Sequence, residues 1–547
     1  MRKIIFLLGC VSLVIIFHAV YEEHKQLLCQ RLKICLQSDE HLQIHPFITD
    51  EGMCAVVPQS WSTRPLEIKL DDHLLSYKWL NDTVVKYNLP FCVLAEGDNI
   101  IIKKTKLPYV AINTESGSMD DIDADEDKST WDSGTISTFN NDGGNDYEGY
   151  LIKIHGRGNS TWKREIKKPY NINIGTKSSL LGMMAGKKYC ILTSNSDRSN
   201  SREYIASWFS RKMGMIGAVD CNLISLYLNG NYHGVCLITN KISKGNAEFL
   251  LERSPKGKNN FLTEKGLQIR VKEPEFLSVR KVDSIRQFLN EAIEAVCSES
   301  GFNKKTGKHY SDYIDVESFA KYYLIQDFLY NVDLGNFYVC GVRDSIGLKL
   351  YAGTCWDLSA SMGKSFKNSI YDYPEVFFTR CGFSNYKDEY RGIIGELFKH
   401  SEFNSMVDSV FRNHFYPVAE EFLYGGALDS LQCILANENE LDQLKWPDGN
   451  SGDLHTIKPF LKKRLAFFYR EMIETKKGYC SIYAKSGDKR VPIRNSFEFR
   501  VKKGDFFIPP PMPGKLFKGW YNEQGENVSK GFYVTGNSAI HGKYLQF

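Results

Sequence analysis

Two aspartates and an amide near the middle of the chain are the residue types that phosphoryl transfer needs. Asp333 comes just after an apolar helix pattern, Asn336 follows it closely, and Asp357 follows an apolar run that ends in Trp356. A carboxylate held against a hydrophobic wall must be hydrogen-bonded, paired or bound to a metal. In phosphoryl transfer one carboxylate holds Mg²⁺, another orients or deprotonates the acceptor hydroxyl, and an amide completes the metal site. A helix cap or an Asx turn also explains each of these residues alone.

A small-residue loop at 156–161, Gly-Arg-Gly-Asn-Ser-Thr, supplies the complementary cationic element. It lies between two strand-like runs, and the second run opens with Lys167 and Lys168. Backbone N–H groups in such a loop can turn toward an anion, and the nearby cations complete a site of phosphate size. The pattern matches neither the Gly-rich loop that ends in Gly-Lys-Ser/Thr nor the dinucleotide-binding fingerprint. A tight turn between two strands is the alternative interpretation.

The composition is that of a folded protein with several domains. The chain has 547 residues, of which 42% are hydrophobic and 24% are charged. This length predicts two to four domains. The net charge of +4 is too balanced to indicate a nucleic-acid partner, and none is predicted.

The N-terminus carries an export signal of one of two kinds. Arg2 and Lys3 precede an apolar run from Ile4 to Val20, and no clear cleavage motif follows it. We therefore predict a signal peptide or, with slight preference, an uncleaved signal anchor over 1–25. The protein is then extracytoplasmic, either secreted or held at the membrane by this segment. In that setting the best disulfide candidates among the 14 cysteines are Cys29, Cys35, Cys54 and Cys92.

Changes in pattern along the chain divide it further. Short alternating runs over 45–106 predict a small β-sandwich-like domain, and aromatic strands and turns over 479–547 predict another small β domain. Between them, 107–475 alternates strand and helix signals and ends in a helical part. The acidic stretch 115–148, with almost no basic residues, predicts a solvated surface insert. The fold class is therefore α+β.

The element predictions that position the candidate site are specific. Asp315 is a plausible N-cap for the helix that ends close to Asp333. The predicted strands are 150–155, 170–174, 189–192 and 223–228, and the predicted helices are 202–213, 281–297 and 316–331, with 392–475 helical nearly throughout.

Several motifs in the same order resemble those of CotH-type kinases, the spore-coat protein kinase family. The resemblance runs from about Leu107 to Glu474, and its collinearity makes it far more specific than any single motif. The motifs are 157–162 (RGNSTW), 167–170 (KKPY), 180–183 (LLGM), 188–192 (KYCIL), 197–199 (DRS) with Arg202, 227–235 (YLNGNYHGV), 333–338 (DLGNFY) and 356–363 (WDLSASMG).

The resemblance implies an atypical protein-kinase-like catalytic domain flanked by small β domains. Such an enzyme uses ATP and Mg²⁺ to phosphorylate Ser or Thr of a surface, secreted or coat protein. The resemblance makes Asp333 the catalytic aspartate and Asp357, with Asn336, the metal-binding set. The implied nucleotide-binding residues are Arg157, Asn159, Lys168, Asp197 and Arg202.

Strand parity and charge refine two of these assignments. Lys168 shares parity with Tyr170, Ile172 and Ile174, so it is the lysine expected to reach the ATP phosphates, with Lys167 facing away. Asp197 and Arg202 are expected to form an ion pair that braces the nucleotide lobe, although solvated surface charges are the alternative.

Two departures from the family pattern keep a second function open. The family has Trp-Asp-x-Asp where this chain has Ser359, and it often has Glu where this chain has Asn240. A lost carboxylate weakens divalent-cation binding or changes its geometry. A catalytically weak or inactive pseudokinase that acts as a surface binding or adhesion protein is therefore the alternative. The segment 517–544 resembles, over a short stretch, the β-grasp-like repeats of bacterial surface proteins, which agrees with either function.

Overall fold

The computed structural model describes most of the chain and divides it into two compact units. The first unit comprises 1–200, 221–241 and 433–450, and the second comprises 201–220, 242–432 and 451–547. Within the described part, no helix has the length and apolar character to cross a bilayer. The apolar run Ile4–Val20 of the predicted export segment lies outside that part. The described residues are 23, 25–37, 39–87, 99–193, 197, 199–253, 259–332, 337–363, 370–378, 389–447, 454–474, 478–486, 495–512 and 516–545.

Two sheets occupy the N-terminal part of the first unit. One has the strand order β2-β1-β5-β6 and the other β3-β4-β9-β8-β7. Their inward residues, such as Ile34, Val56 and Ile100, form one apolar core that also takes in Tyr227 and Tyr232 from further along the chain. The strands are β1 (Leu32–Leu36), β2 (Asp39–Ile44), β3 (Phe47–Thr49), β4 (Gly52–Pro58), β5 (Leu66–Leu70), β6 (His73–Leu74), β7 (Tyr77–Trp79), β8 (Val84–Tyr87) and β9 (Asn99–Thr105).

A closed seven-stranded barrel forms the rest of the first unit. Its order is β10-β11-β12-β13-β14-β16-β15, and β15 returns parallel to β10 to close it. Tyr170, Ile172 and Ile174 alternate into the barrel core as the period of two predicts. The strands are β10 (Tyr109–Thr114), β11 (Trp131–Phe139), β12 (Asn145–Gly156), β13 (Tyr170–Ser178), β14 (Gly186–Leu192), β15 (Cys221–Leu228) and β16 (Asn231–Asn240), with short helices α1 (Asp120–Ala124) and α2 (Ser160–Arg164) between them.

The acidic stretch 115–148 is part of this barrel, so the prediction of a solvated insert is wrong. β11 pairs with β10 from Tyr109↔Phe139 to Thr114↔Gly134, and its other edge pairs with β12. Ile136 is fully buried in the barrel core. The carboxylates that suggested an insert lie on α1 and on the turns around β11, where the side chains reach solvent.

The second unit begins with a five-stranded sheet covered by helices. The strand order is β18-β19-β17-β20-β21. Asp315 caps α6 by accepting a hydrogen bond from Ser318 N at 2.8 Å, as predicted. The elements are α3 (Arg202–Lys212), β17 (Phe249–Arg253), β18 (Asn260–Leu262), β19 (Gln268–Glu273), α4 (Val279–Cys297), α5 (Tyr310–Tyr313), α6 (Val316–Phe328), β20 (Tyr338–Arg343) and β21 (Leu348–Ala352).

The remainder of the second unit is a helical part and a C-terminal sheet. The sheet has the order β22-β24-β23-β28-β26 and takes its edge strand β22 from before the helices. A two-stranded ribbon, β25 with β27, lies beside it in sequence. The helices are α7 (Glu389–Leu397), α8 (Ser401–Val410), α9 (Tyr416–Tyr424), α10 (Ala427–Lys445) and α11 (Leu454–Met472), and the strands are β22 (Val376–Phe377), β23 (Tyr479–Ser486), β24 (Asn495–Lys502), β25 (Phe506–Phe507), β26 (Phe517–Asn522), β27 (Phe532–Tyr533) and β28 (Ser538–Tyr544).

Mixed α and β content is therefore what the structure shows. The four strands predicted between residues 150 and 228 are all present, and the three predicted helices match α3, α4 and α6. The helical region predicted from residue 392 onward corresponds to α7–α11. The three buried cysteines Cys29, Cys35 and Cys54 are present as thiols, and Cys92 lies outside the described residues.

Candidate functional site

The loop at 156–161 is held against the start of β13. β12 ends at Gly156, which pairs with Tyr170, and Arg157 N donates to Pro169 O at 3.1 Å. Arg157 is half-buried, whereas Asn159 and Ser160 are exposed. The structure therefore brings the predicted loop and the lysine pair together on one edge of the barrel.

Trp162 anchors this loop to the acidic helix α1. Its indole Nε1 donates to Asp125 O at 2.8 Å, and its ring packs beside Tyr170. The Tyr170 hydroxyl donates to Asp123 Oδ1 at 2.7 Å. Burial raises the pKa of the Asp123 carboxyl, and it also raises the pKa of Tyr170. The acidic stretch thus supports the loop, which is a relation that composition alone did not suggest.

Lys168 lies close to the loop, as predicted, but its amino group is engaged locally. Its Nζ donates to Trp162 O and lies 5.1 Å from the centroid of the Trp162 ring. The residue is half-buried. A cation placed on the loop's own tryptophan raises the local positive potential at the loop.

Lys167 is buried and has partners different from those of Lys168. Its side chain is 1% exposed and forms an ion pair with Asp442 of α10, with 2.6 Å between Nζ and Oδ1. Its Nζ also donates to Val235 O at 2.5 Å. β13 starts only at Tyr170, after Pro169, so the burial of Lys167 was not predictable from the alternation along that strand.

Gly234 is the residue that makes room for this pair. Its φ of +97° favours glycine, and a Cβ there would lie 2.1 Å from Asp442 Oδ1 and 3.1 Å from Lys167 Nζ. Asp442 Oδ1 also accepts from Val235 N at 2.8 Å. The backbone at Gly234 and Val235 in β16 therefore leaves room for the buried Lys167–Asp442 pair.

Residues 433–445 of α10 belong to the first unit, and the same helix face makes further buried contacts within that unit. Glu438 is fully buried, and its carboxylate accepts from Thr105 Oγ1 at 2.7 Å and from Lys106 N at 2.9 Å. Asn439 Oδ1 accepts from Asn200 Nδ2 at 2.9 Å. Glu438 and Asp442 are four residues apart, which places them on one helix face. That spacing was visible in the sequence and is the signal that could have revealed them.

His233 is a buried neutral base next to Lys167. Its Nε2 donates to Lys168 O at 3.0 Å, and its ring lies edge-on to Trp446. Burial, reinforced by the positive charge of Lys167, lowers the pKa of His233 to about 3. The imidazole therefore stays uncharged at neutral pH and serves as a structural hydrogen-bond donor.

Asp197 and Arg202 are both buried, each with a contact inside its own unit. Asp197 Oδ1 accepts from Ser199 Oγ at 2.6 Å. Arg202, the first residue of α3, donates from Nε to Ser361 O at 2.9 Å. Both residues are at most 2% exposed, so neither is a solvated surface charge. Arg202 is thereby placed against the segment that carries Asp357.

Asp357 sits in a strained backbone position just beyond β21. Its φ is +65°, in the left-handed region, which Asp and Asn tolerate better than other non-glycine residues. Its side chain is half-buried. Such conformations persist where the surroundings fix them, and they concentrate at functional sites.

Backbone hydrogen bonds join the Asp357 segment to the chain that leads into Asp333. Met362 N donates to Leu329 O at 2.9 Å, and Val332 N donates to Ala360 O at 3.1 Å. Asp333 and Asn336 themselves lie outside the described residues. The structure places residues 329–332 directly beside residues 360–362, so the chain that precedes the first motif lies next to the Asp357 segment.

A fully buried ion pair fixes the end of α6 behind this junction. Asp327 and Arg464 are both 0% exposed, with 2.7 Å between Oδ1 and Nη2. Asp327 Oδ2 accepts from Phe378 N at 3.0 Å, and Arg464 Nη1 donates to Pro374 O at 2.7 Å. Nothing in the sequence spacing linked these residues, which are 137 positions apart. The pair stabilises the turn that immediately precedes Asp333.

The donor chemistry at this junction suits a hard divalent cation. A carboxylate such as that of Asp357 is the ligand type Mg²⁺ takes, and Mg²⁺ keeps several waters while using few protein ligands. Among the residues the structure describes, no three His, Cys, Asp or Glu side chains converge as a metal site. Asn336, the other predicted ligand, lies outside them.

The two departures from the family pattern occupy different environments. Ser359 is half-buried two residues beyond Asp357. Asn240 is buried at the end of β16 and donates from Nδ2 to Met184 O at 2.8 Å. Asn240 thus tethers the loop before β14, whereas Ser359 lies within the segment that carries Asp357.

Comparison with known proteins gives one extensive match. A family model described as "CotH kinase protein" matches residues 152–468. The search for similar curated proteins produced no match. Among solved structures, the chain is similar to a Golgi casein kinase at 10% identity, over 57% of this chain and 70% of that chain, with a TM-score of 0.24. It is also similar to a hydra Fam20 solved with sugar, at 9% identity over 68% and 88% of the two chains, with a TM-score of 0.22. The family match spans all of the site residues predicted from the sequence, from Arg157 to Asp357.

Proposed function

The chain belongs to the CotH kinase family, and from that premise we propose that it transfers the γ-phosphoryl group of ATP to a Ser or Thr hydroxyl of another protein. The observation that carries the proposal is the backbone junction between residues 329–332 and 360–362. It brings the approach to Asp333 beside the segment of Asp357 in one unit. Phosphoryl transfer needs a catalytic carboxylate and a metal-binding carboxylate, and this junction supports assigning those roles to Asp333 and Asp357.

Each residue has a distinct role in the proposal. Asp333 orients the acceptor hydroxyl and accepts its proton, while Asp357 and Asn336 hold Mg²⁺. Arg157, Asn159 and Lys168 contact the phosphates, and Asp197 and Arg202 brace the nucleotide-binding residues. When bound, Mg²⁺ would neutralise charge on the phosphate oxygens. We assign Lys167 a structural role, because Asp442 already pairs with it in a buried site.

The cellular setting belongs to the same proposal. The apolar run at Ile4–Val20 would export the protein and, if uncleaved, hold it at the membrane. The acceptor is then a surface, secreted or coat protein, and no nucleic acid takes part.

A second candidate function is that of a surface binding protein built on an inactive kinase fold. Ser359 is the observation that favours it, because a hydroxyl stands where the family has a second acidic residue. A serine oxygen is a weaker ligand for a divalent cation than a carboxylate.

Phosphoryl transfer by the purified full chain with radiolabelled ATP and Mg²⁺ distinguishes the two. We expect labelling of the wild type and a loss of at least about 100-fold in Asp357→Asn, equivalent to about 2.7 kcal/mol of transition-state stabilisation. Asn tolerates the left-handed backbone, so the fold is kept. Asp344→Asn, at an exposed turn where the carboxylate accepts from Ile346 N and Gly347 N, is the matched control.

Three outcomes of this experiment lead to different conclusions. Labelled Ser or Thr in the wild type and in Asp344→Asn, but not in Asp357→Asn, supports the kinase. Measurable nucleotide binding with no labelling of any substrate or of the chain itself favours the binding protein. Equal labelling of Asp357→Asn and the wild type contradicts the site assignment.

A lysine comparison tests the phosphate contact separately. Lys168→Met should raise the KM for ATP, whereas Lys163→Met, an exposed lysine on α2, should leave it unchanged. If both variants have the wild-type KM, Lys168 does not contact ATP.

A further inference from the structure

The C-terminal ribbon of β25 and β27 exposes an unusual set of apolar side chains. Phe506 is 51% exposed, Ile508 59% and Tyr533 69%. Phe506 pairs with Tyr533 across the two strands, and their ring centroids are 5.1 Å apart. We call these three residues the apolar ribbon face. They form one patch and are not three separate surface residues.

The patch is continuous because a glycine lies beneath it. A Cβ on Gly531 would come within 2.5 Å of the Phe506 ring and 3.0 Å of Ile508 Cγ1. Both side chains therefore lie over the Gly531 backbone and reach toward Tyr533 across the strand pair. Exposed apolar patches of this kind mark interaction surfaces.

The ribbon itself is firmly attached, so the exposure is not that of a loose tail. Phe507 alternates to the opposite face, is 6% exposed and packs 5.0 Å from the Phe499 ring. Val534 N donates to Asp505 O at 2.9 Å, and Gly504 N donates to Val534 O at 2.8 Å. The ribbon thus presents one apolar side to the sheet and the other to solvent.

Lysines flank this face in the sequence. Lys502 and Lys503 precede Phe506, Lys530 precedes Gly531, and all three are exposed, as is the single carboxylate residue Asp505 beside Phe506. Residues 479–547 contain eleven Lys or Arg against five Asp or Glu, a net charge of +6, whereas the whole chain carries only +4. The occupant of the patch must therefore combine negative charge with an apolar layer.

The geometry of the rings favours a lipid surface over a sugar. Phe506 and Tyr533 meet at an interplanar angle of 64°, so they do not form the flat platform on which a sugar ring stacks. Ile508 and Phe506 bring no hydrogen-bonding groups for sugar hydroxyls. Aromatic and aliphatic side chains flanked by lysines are instead the pattern of surfaces that enter the boundary between headgroups and acyl chains.

We propose that the apolar ribbon face, Phe506, Ile508 and Tyr533 with Lys502, Lys503 and Lys530, docks on an anionic lipid bilayer. The three apolar side chains enter the headgroup boundary while the lysines contact the lipid phosphates. This contact is separate from the N-terminal apolar run and independent of kinase activity. It would give the C-terminal part of the second unit its own attachment to a membrane.

Hydrogen exchange of the full chain tests the docking locally. Bulk binding to vesicles does not discriminate, because Ile4–Val20 can enter any bilayer. We expect the backbone amides of residues 505–508 and 531–534 to exchange at least about fivefold more slowly with phosphatidylglycerol vesicles than without vesicles. Phosphatidylcholine vesicles should have no such effect, and salt at about 0.5 M should weaken the protection because it screens the lysines.

Matched variants complete the test. Phe506→Ser with Ile508→Ser should abolish the protection, while Ile346→Ser, at a turn residue that is 86% exposed, should leave it intact. If the double variant is unfolded, the wild-type comparison between the two lipids still decides. The proposal is overturned by an absence of protection on phosphatidylglycerol, or by equal protection on both lipids. Protection that appears without vesicles when the protein concentration is raised would also overturn the proposal, because it would indicate contact with a second copy of the chain. Protection by an anionic polysaccharide but not by vesicles would overturn it as well.

Discussion

At the scale of single residues, the buried Lys167–Asp442 pair is the strongest constraint in the first unit. Lys167 is 1% exposed and Asp442 12%, so neither charge is well solvated. Removing one partner of such a pair leaves an uncompensated buried charge. The pair therefore stabilises the junction of β16 with α10 mainly because its loss is so costly.

We expect Lys167→Met and Asp442→Asn each to lower the free energy of unfolding by about 3–5 kcal/mol. The double variant Lys167→Met/Asp442→Asn should lose less than the sum of the two single changes, because no charge then stays buried alone. Urea unfolding measures all three. The exposed pair Lys399–Glu396 gives the control, since Lys399→Met should change stability by no more than about 1 kcal/mol. Additive losses in the double variant would mean that the two side chains are not coupled.

His233 predicts an acid sensitivity of the same region. Its folded pKa of about 3 lies below the ordinary value of 6.5, so the folded state favours the neutral imidazole. The neutral imidazole therefore adds to the free energy of unfolding, and this stabilisation is fully present above pH 6.5. It is lost as the pH falls toward 3, by about 1.4 kcal/mol for each pH unit.

The measurement for His233 is the free energy of unfolding as a function of pH. His233→Gln can still donate to Lys168 O, so we expect a lower starting stability but a shallower decline between pH 6.5 and 3. The wild type and His233→Gln share all their other titratable groups, so a difference between the two curves comes from His233. Parallel curves over that window would show that His233 does not control the acid response.

The sequence allowed correct prediction of which residues cluster near the loop, but not which lysine is buried. The resemblance placed Lys167 and Lys168 beside 156–161, and the structure does so too. Which of them turns inward depends on where Pro169 ends the strand pattern and on Asp442, which is 275 positions away. Local alternation carries no information about a partner that distant.

At the scale of elements, the acidic stretch shows that a prediction from composition alone can miss a strand. β11 is buried continuously from Ile136 to Phe139, but the carboxylates on either side dominate a composition count. Predicting it required recognising that Thr135–Phe139 has strand character of its own. By contrast, α4 was predictable because its apolar periodicity extends over several turns, and the start of α6 was predictable from its N-cap Asp315.

Gly134 tests the β10–β11 pairing directly. A Cβ there would lie 2.0 Å from Asn113 O and 2.8 Å from Thr114 Cα, and both are backbone atoms that cannot rotate away. We expect Gly134→Ala to lower the midpoint of thermal unfolding by several degrees, corresponding to about 2 kcal/mol or more. Gly536→Ala is the comparison, because the backbone there is not in the left-handed region and a Cβ meets nothing within 4 Å. If Gly134→Ala is no less stable than Gly536→Ala, the two strands do not approach as described.

At the scale of the whole molecule, the confirmed family membership explains the order of the motifs. The structure between the motifs depends on strand pairing, core packing and buried side-chain contacts. The α+β content and the family were predictable from collinear motifs. The barrel closure, the shared N-terminal core and the contacts of α10 were not, because each depends on pairings between residues far apart in sequence.

The distribution of cysteines gives a test that samples the whole chain. Of the thiols in the described part, Cys433 is the one exposed cysteine, while burial raises the pKa of Cys54, Cys236 and Cys340 to about 12. We expect a thiol reagent at pH 8 to modify Cys433 at least about tenfold faster than these three, since the thiolate is the reactive form.

Peptide mapping after brief labelling identifies the modified residue, and denaturant should make the buried cysteines reactive. Cys433→Ser should remove the rapid phase for the described part of the chain. Rapid labelling of Cys236 in the native protein would contradict the closed barrel.

The helix that supplies Asp442 has a consequence for how the chain is made. The barrel strands leave the ribosome long before α10, since Lys167 and Asp442 are 275 residues apart. At about 5–20 residues per second, that interval lasts roughly 15 seconds to a minute. Throughout it, a barrel that has closed around Lys167 would hold a cation with no counter-ion. The nascent first unit must therefore wait, open or chaperone-bound, until translation delivers the carboxylate that completes it.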